Sequence, residues 1–212
     1  MGFIKGSVSF TRFRVIDNLP DNYFDLYPPL IRRFAYKNLE EYASESKSEG
    51  WVSITDMLDS EFTSMDFFKE PYLALAWRVD TKKVHPQAVK RYCREAEREI
   101  MTKESLEFLS RSRRREISES VKAALTRRAI PLTVIYDMIW NLQTGIIYFG
   151  GISNKVSDEF RSYFIKTFNL NIQPVFPYER AALALIDAKK EASQVDNIKG
   201  AVFTTGKTYE HI

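Results

Sequence analysis

The chain has almost none of the residues from which covalent staples and histidine-based sites are built. Its 212 residues include one cysteine, Cys93, and two histidines, His85 and His211. A single thiol excludes an intrachain disulfide and a cysteine zinc cluster. Two histidines leave little for a histidine-rich metal site or for a nucleophile–histidine triad. Long apolar runs are missing too, since none approaches the roughly 20 residues that span a bilayer. The opening MGFIKGSVSF lacks the apolar core of a secretory signal. Ser7 after Gly2 does not fit the myristoylation pattern, which wants Ser or Thr one position earlier. These absences lead us to expect a soluble, cytoplasmic protein with no membrane partner.

What is present is ordinary for a folded chain. Hydrophobic residues make up 44% and charged residues 28%, which separates the sequence from disordered compositions. The length suffices for a sizeable core in one domain or two small ones. The charge, however, is unevenly placed. From Lys82 to Arg128 there are 14 Lys and Arg against 7 Glu, a local +7 in a chain of +3, so the remainder carries −4.

That basic stretch reads as two helices. The first enters at Pro86, a residue tolerated in the first helical turn, with Val89, Tyr92, Cys93, Ala96 and Ile100 as its expected buried face. Cys93 is therefore expected in the core, and His85 as a capping or surface residue. Ser105 or Ser110 starts the second helix, on which Ile117, Val121, Ala124 and Leu125 form an apolar stripe. Arg111, Arg115 and Lys122 fall within about 40° of one another on a different side. Cations repeated along a helix suit a phosphate backbone, which they bind without reading sequence. The candidate DNA contacts are Lys82, Lys83, Lys90, Arg111, Arg113, Arg114, Arg115, Lys122, Arg127 and Arg128. The competing reading is a solvated face, with Glu95, Glu97, Glu99, Glu116 and Glu119 neutralising many cations through i,i+4 pairs.

Elsewhere the pattern is mixed. Gly6 to Ile16 alternates as a strand, with Phe13 and Val15 opposite Arg12 and Arg14. A short helix after Asp21 or Asn22 should break or restart at Pro28-Pro29, burying Leu30, Ile31 and Phe34. Asn38 to Gly50 reads as a polar loop, followed by a short strand at Trp51–Ile54. Asp56, Asp59, Glu61 and Asp66 then crowd one segment. They could in principle hold Mg²⁺ for a nuclease, but a solvated loop with apolar anchors is the expected reading, because metal sites gather ligands from several elements. Tyr72–Asp80 is the best central strand of the first half. Leu132–Trp140 and Gly145–Phe149 form the clearest hairpin. A helix capped by Ser153 or Asn154 carries Val156, Phe160, Phe164, Ile165 and Phe168. A strand at Ile172–Phe176 and a helix at Glu179–Lys190 complete the pattern. The expected class is α+β: an antiparallel or mixed sheet backed by helices, with a long basic helical pair over 82–128 that packs on the sheet or projects from it. One α+β region over 1–190, with a polar tail over 191–212, is the expected organisation.

In order and spacing these residues resemble the RdgC family of bacterial recombination-associated DNA-binding proteins. The marks are Gly50-Trp51-Val52, the KVHPQA entry from Lys83 into a charged helix, and the ending Arg127-Arg128-Ala129. After them come the strand ending Met138-Ile-Trp140, the hairpin and helix, and Asn171-Ile-Gln-Pro-Val-Phe-Pro177. The likeness implies a nucleoid-associated homodimer that closes a basic ring around duplex DNA and modulates recombination without catalysis. Two features depart from the family pattern. The C-terminal part that helps close the ring is absent from this sequence, and Ile130-Pro131 stands where relatives carry an aromatic. No cofactor, metal or small-molecule substrate is expected. A metal-dependent nuclease, or an interaction module of a recombination or phage system, remains the alternative.

Overall fold

Stretches rich in apolar and aromatic side chains, of strand length, favour strands buried on at least one face, and the two longest, each ten residues as a strand, lie side by side in the sheet. A computed structural model describes residues 2–4, 6, 8–39 and 46–197. In chain order the elements are β1 (Thr11–Val15), α1 (Tyr23–Arg33), β2 (Lys47–Val52), β3 (Phe68–Lys69), β4 (Tyr72–Thr81), α2 (Pro86–Lys103), α3 (Arg111–Arg128), β5 (Leu132–Asn141), β6 (Ile146–Phe149), α4 (Asn154–Phe168), β7 (Ile172–Pro174), α5 (Pro177–Asp187) and a 3-10 helix at Ala192–Asn197. The strands order as β2-β4-β5-β6-β1-β7, with β3 also on β4. The pairings from β2 through to β1 are antiparallel. The fold is α+β.

One face of this sheet is aromatic. Leu73, Leu75 and Trp77 of β4, Met138 and Trp140 of β5, Ile147 and Phe149 of β6, and Phe13 of β1 all point into a single core. Helices α1 and α4 cover it. Phe160 of α4 stacks on Phe149 at 3.8 Å between ring centroids, and Tyr27 of α1 stacks on Trp140 at 5.4 Å. Trp51 of β2 donates its indole N–H to Thr167 of α4 at 3.0 Å, so the edge strand is tied to the helix by a polar contact as well. Asn169 ends α4 in the left-handed conformation at φ 54, a cap position that favours Gly or Asn.

Four expectations need correction. Pro28 and Pro29 do not break α1, which runs through both. Their missing amide donors affect only the carbonyls of Phe24 and Asp25, while Tyr27, Pro28 and Ile31 are buried; packing outweighs the lost bonds. The polar loop ends early, because Lys47–Gly50 belongs to β2 and pairs with Arg78–Thr81. Gly50 lets the backbone of Tyr36 approach so closely that a Cβ would overlap it. The first strand begins at Thr11, not Gly6. Finally, α2 and α3 do not pack on the sheet: among the described residues their only substantial packing is on each other.

The described chain divides into two compact units, Met1–Gln173 and Pro174–Ile212. The division falls ahead of the expected boundary at 190, because α5 groups with the 3-10 helix, where the Tyr178 hydroxyl donates to Asp196 at 2.7 Å. Residues 198–212 of the expected polar tail lie outside the described residues.

Candidate nucleic-acid interface

Thr81, the last residue of β4, pairs with Leu132, the first of β5. The two basic helices are therefore an insertion between neighbouring antiparallel strands. Each is 18 residues long, roughly 27 Å at 1.5 Å per residue. Both starts are capped: His85 Nδ1 accepts from the Gln87 amide at 3.2 Å, and the Ser110 hydroxyl accepts from the Arg113 amide at 3.2 Å.

Because the pair is not laid on the sheet, its apolar stripe is thin. Helix α2 has no buried residue, and α3 has one, Ile117. Val89, Cys93, Ala96 and Ile100 are only half-buried and Tyr92 is exposed, so the expected core face of α2, with its core cysteine, is corrected to a seam against α3. Nearly every other position faces solvent, and most of those positions are charged.

The cations divide into two sets. Arg91 pairs with Glu95 at 2.9 Å, Lys103 with Glu99 at 2.6 Å and Arg115 with Glu119 at 2.9 Å. Arg113 reaches Glu116 at 3.1 Å and Glu104 at 3.6 Å. These pairs are exposed and contribute little to stability. The hydrogen bond to Glu99 raises the Lys103 ammonium above its ordinary range, and the reverse contact lowers Glu99. Lys83, Lys90, Arg94, Arg98, Arg111, Arg114, Lys122, Arg127 and Arg128 have no carboxylate partner among the described residues.

The start of α3 is unusual in its charge. Its first turn holds no acidic residue, yet Arg111, Arg113 and Arg114 sit there, at the positive end of the helix dipole. Anions are favoured at that end and cations are not. Three arginines clustered against the dipole disfavour the isolated helix and suit an anion drawn to both the side chains and the free amides.

Of the expected contact residues, Lys82 does not belong to this surface. It is only 8% exposed, and its amide donates to Ser46 at 2.8 Å, extending the β2–β4 ladder by one step. The other nine are exposed on or at the root of the hairpin. The sequence reading did not single out Arg94 and Arg98, although they lie in the same charged run, nor the apolar tip. Between the helices Leu106 is 42% and Phe108 77% exposed, with Leu109 tucked beneath. In the sequence only the short apolar group Leu106, Phe108 and Leu109 within a charged run marks that tip.

The three aspartates of the 56–66 segment are engaged in local turns. Asp56 accepts from the Leu58 amide at 2.9 Å, and Asp59 accepts from Glu61 and Phe62 at 3.1 and 3.2 Å. Asp66 accepts from Ser64 at 2.6 Å. Phe62 and Phe67 anchor the loop in the core, which is the loop with apolar anchors expected from the sequence. Among the described residues no three His, Cys, Asp or Glu side chains gather as a metal site would require. No described helix is long and apolar enough to cross a membrane.

No protein-family model matches this chain, and no curated protein matches it. The likeness to the RdgC family rests on the quoted residues alone.

Proposed function

We propose that the protein binds DNA through the α2–α3 hairpin, with little sequence preference and without catalysis. One observation carries the reading: Arg111 and Arg114, without a carboxylate partner among the described residues, lie at the start of α3 against the helix dipole with no acidic residue in that turn, an arrangement that gains from a polyanion. The remaining unpaired cations extend along both helices, where they can follow a phosphate backbone. Few amide side chains lie among them to read base edges. The RdgC likeness extends the proposal to a homodimer that acts on recombination at the nucleoid, with duplex DNA as the preferred partner. Non-catalytic action agrees with the turn-bound aspartates of the 56–66 loop.

Fluorescence anisotropy with several duplexes of unrelated sequence, and with single strands, tests this directly. Comparable affinities across duplexes are expected, falling steeply between low and physiological salt, with the DNA intact after incubation in Mg²⁺. Binding that ignores salt, or Mg²⁺-dependent loss of DNA abolished by Asp59→Ala, overturns the proposal. A second reading, docking of the hairpin on a protein, draws on the exposed Leu106 and Phe108 at the tip. It predicts that Phe108→Ala abolishes partner capture while DNA affinity is absent from the start.

A further inference from the structure

A second group of cations gathers away from the hairpin helices, where the end of α1, the start of β2 and the end of α4 meet. Arg33, Lys37, Lys47 and Lys166 line a cleft of about 450 Å³, and Glu49 is the one carboxylate in its lining. Lys47 is already committed, 2.9 Å from Glu49 and 2.9 Å from Glu159. Burial opposes its charge, but the hydrogen bonds to both carboxylates win and hold its ammonium above the ordinary range. Lys47 shares its single charge between the two carboxylates. Arg33, Lys37 and Lys166 have no ion pair among the described residues.

Aromatic faces and helix ends hold Arg33 and Lys166 in place of carboxylates, while Lys37 lies in the chain that follows α1. The Arg33 guanidinium lies 5.7 Å from the centre of the Phe34 ring, and the Lys166 ammonium lies 5.8 Å from the same ring and 6.0 Å from Tyr163. The Tyr163 hydroxyl donates to the Phe34 carbonyl at 2.7 Å, and the two rings meet edge to face at 6.4 Å between centroids. A ring face attracts a cation without neutralising it. Arg33 and Lys166 also stand in the last turns of α1 and α4, where the dipoles favour positive charge. The result is three cations without an ion pair among the described residues, two of them placed by helix ends.

The cluster adjoins the hairpin. Lys47 pairs with Thr81, and Thr81 with Leu132, so the cleft flanks the strand ends from which α2 leaves and to which α3 returns. Exposed Lys83 stands at that root. The Ser48 hydroxyl is occupied by the Lys37 carbonyl at 2.6 Å, leaving charge, not a directed polar pattern, as what the cleft offers.

We infer that this cleft binds phosphate groups of a nucleic-acid backbone and continues the contact that the hairpin begins. The inference rests on the DNA-binding reading above. Arg33 can grip a phosphate through two N–H groups, while Lys37 and Lys166 act as point charges. The contact adds affinity and length of footprint, but no sequence preference.

The test uses the full chain in three forms: wild type, Arg33→Ala/Lys37→Ala/Lys166→Ala, and the hairpin variant Arg111→Ala/Arg114→Ala/Lys122→Ala. Duplex affinity is measured against salt and against duplex length, with thermal unfolding as the folding control. The cleft variant is expected to lower the slope of log K against log salt by about two to three, at about 0.9 per lost phosphate, and to reach its plateau affinity on a shorter duplex than wild type. Should the triple variant unfold, Lys37→Ala/Lys166→Ala keeps the arginine at the end of α1 and should lower the slope by about two. An unchanged slope and plateau length in a folded cleft variant, beside a lowered slope in the hairpin variant, overturns the cleft contact and leaves the hairpin reading standing. Unchanged slopes in both variants overturn both. Saturable binding of inorganic phosphate at the cleft, unaffected by duplex, points to a small phosphorylated ligand and overturns the backbone contact.

Discussion

Asp80 shows how a single residue's surroundings set its charge. It is buried behind the second face of the sheet, with Arg78 donating to both its oxygens at 3.0 and 2.8 Å and the Tyr36 hydroxyl donating at 2.7 Å. Burial pushes its carboxyl up, but the hydrogen bonds from Arg78, Tyr36 and Thr133 outweigh burial and hold it below the ordinary value of 3.8. A depressed acid stabilises the fold above its unfolded pKa and loses that contribution as pH falls through the folded value. Asp80→Asn should therefore destabilise the protein by about 2–4 kcal/mol at neutral pH, because Arg78 is left without its counter-charge. The gap to wild type in urea unfolding should stay level down to about pH 5 and shrink below pH 4. A gap that persists unchanged at pH 2 contradicts the ion pair. Nothing in the local sequence announced this cluster: Arg78 and Asp80 are two residues apart on a strand, but Tyr36 arrives from another element. Lys82 was misjudged for the same reason, its burial being set by the contact with Ser46 across the ladder.

Strands β4 and β5 were legible because Tyr72–Asp80 and Leu132–Trp140 are apolar stretches of strand length, and α4 because Phe160, Phe164 and Phe168 repeat at helical spacing. The continuity of α1 was not, because two adjacent prolines argue locally for a break, while contacts with Phe62 and Phe68, and with Trp140 and Phe168 more than a hundred residues away, hold the helix together. Exposed Pro29 is the removable half of that conflict. Pro29→Ala restores an amide to the Asp25 carbonyl and should raise stability by about 1–2 kcal/mol, less than the full cost of a helix proline because the unfolded chain gains freedom. A loss of stability in denaturant titration would mean that the ring packs in a way its exposure does not suggest. The hairpin poses the opposite case. Its periodicity was read correctly as helical, but half-buried seams and true core faces look alike in sequence. Ile117→Ala should loosen α2 and α3 by about 2 kcal/mol, the low end for a buried truncation. Hydrogen exchange should quicken in both helices and stay unchanged in β4 and β5. Equal loss of protection in the strands contradicts an independently held hairpin.

Across the whole molecule, the separation of charge is the feature that sequence and structure express alike. A local +7 between Lys82 and Arg128 is displayed on an insertion that contributes nothing substantial to the aromatic core. The cleft cations were invisible to that count because α1, the segment after it, β2 and α4 each supply only one of them. Affinity for duplex DNA as a function of salt, in wild type and in Arg111→Ala/Arg114→Ala/Lys122→Ala, tests the central claim most directly. These three positions are exposed and lack carboxylate partners among the described residues, so unfolding midpoints should barely move. The slope of log K against log salt should fall by about two to three, equally for every duplex sequence. A folded variant with the wild-type slope contradicts the account, and makes the hairpin a solvated arm whose partner is another protein.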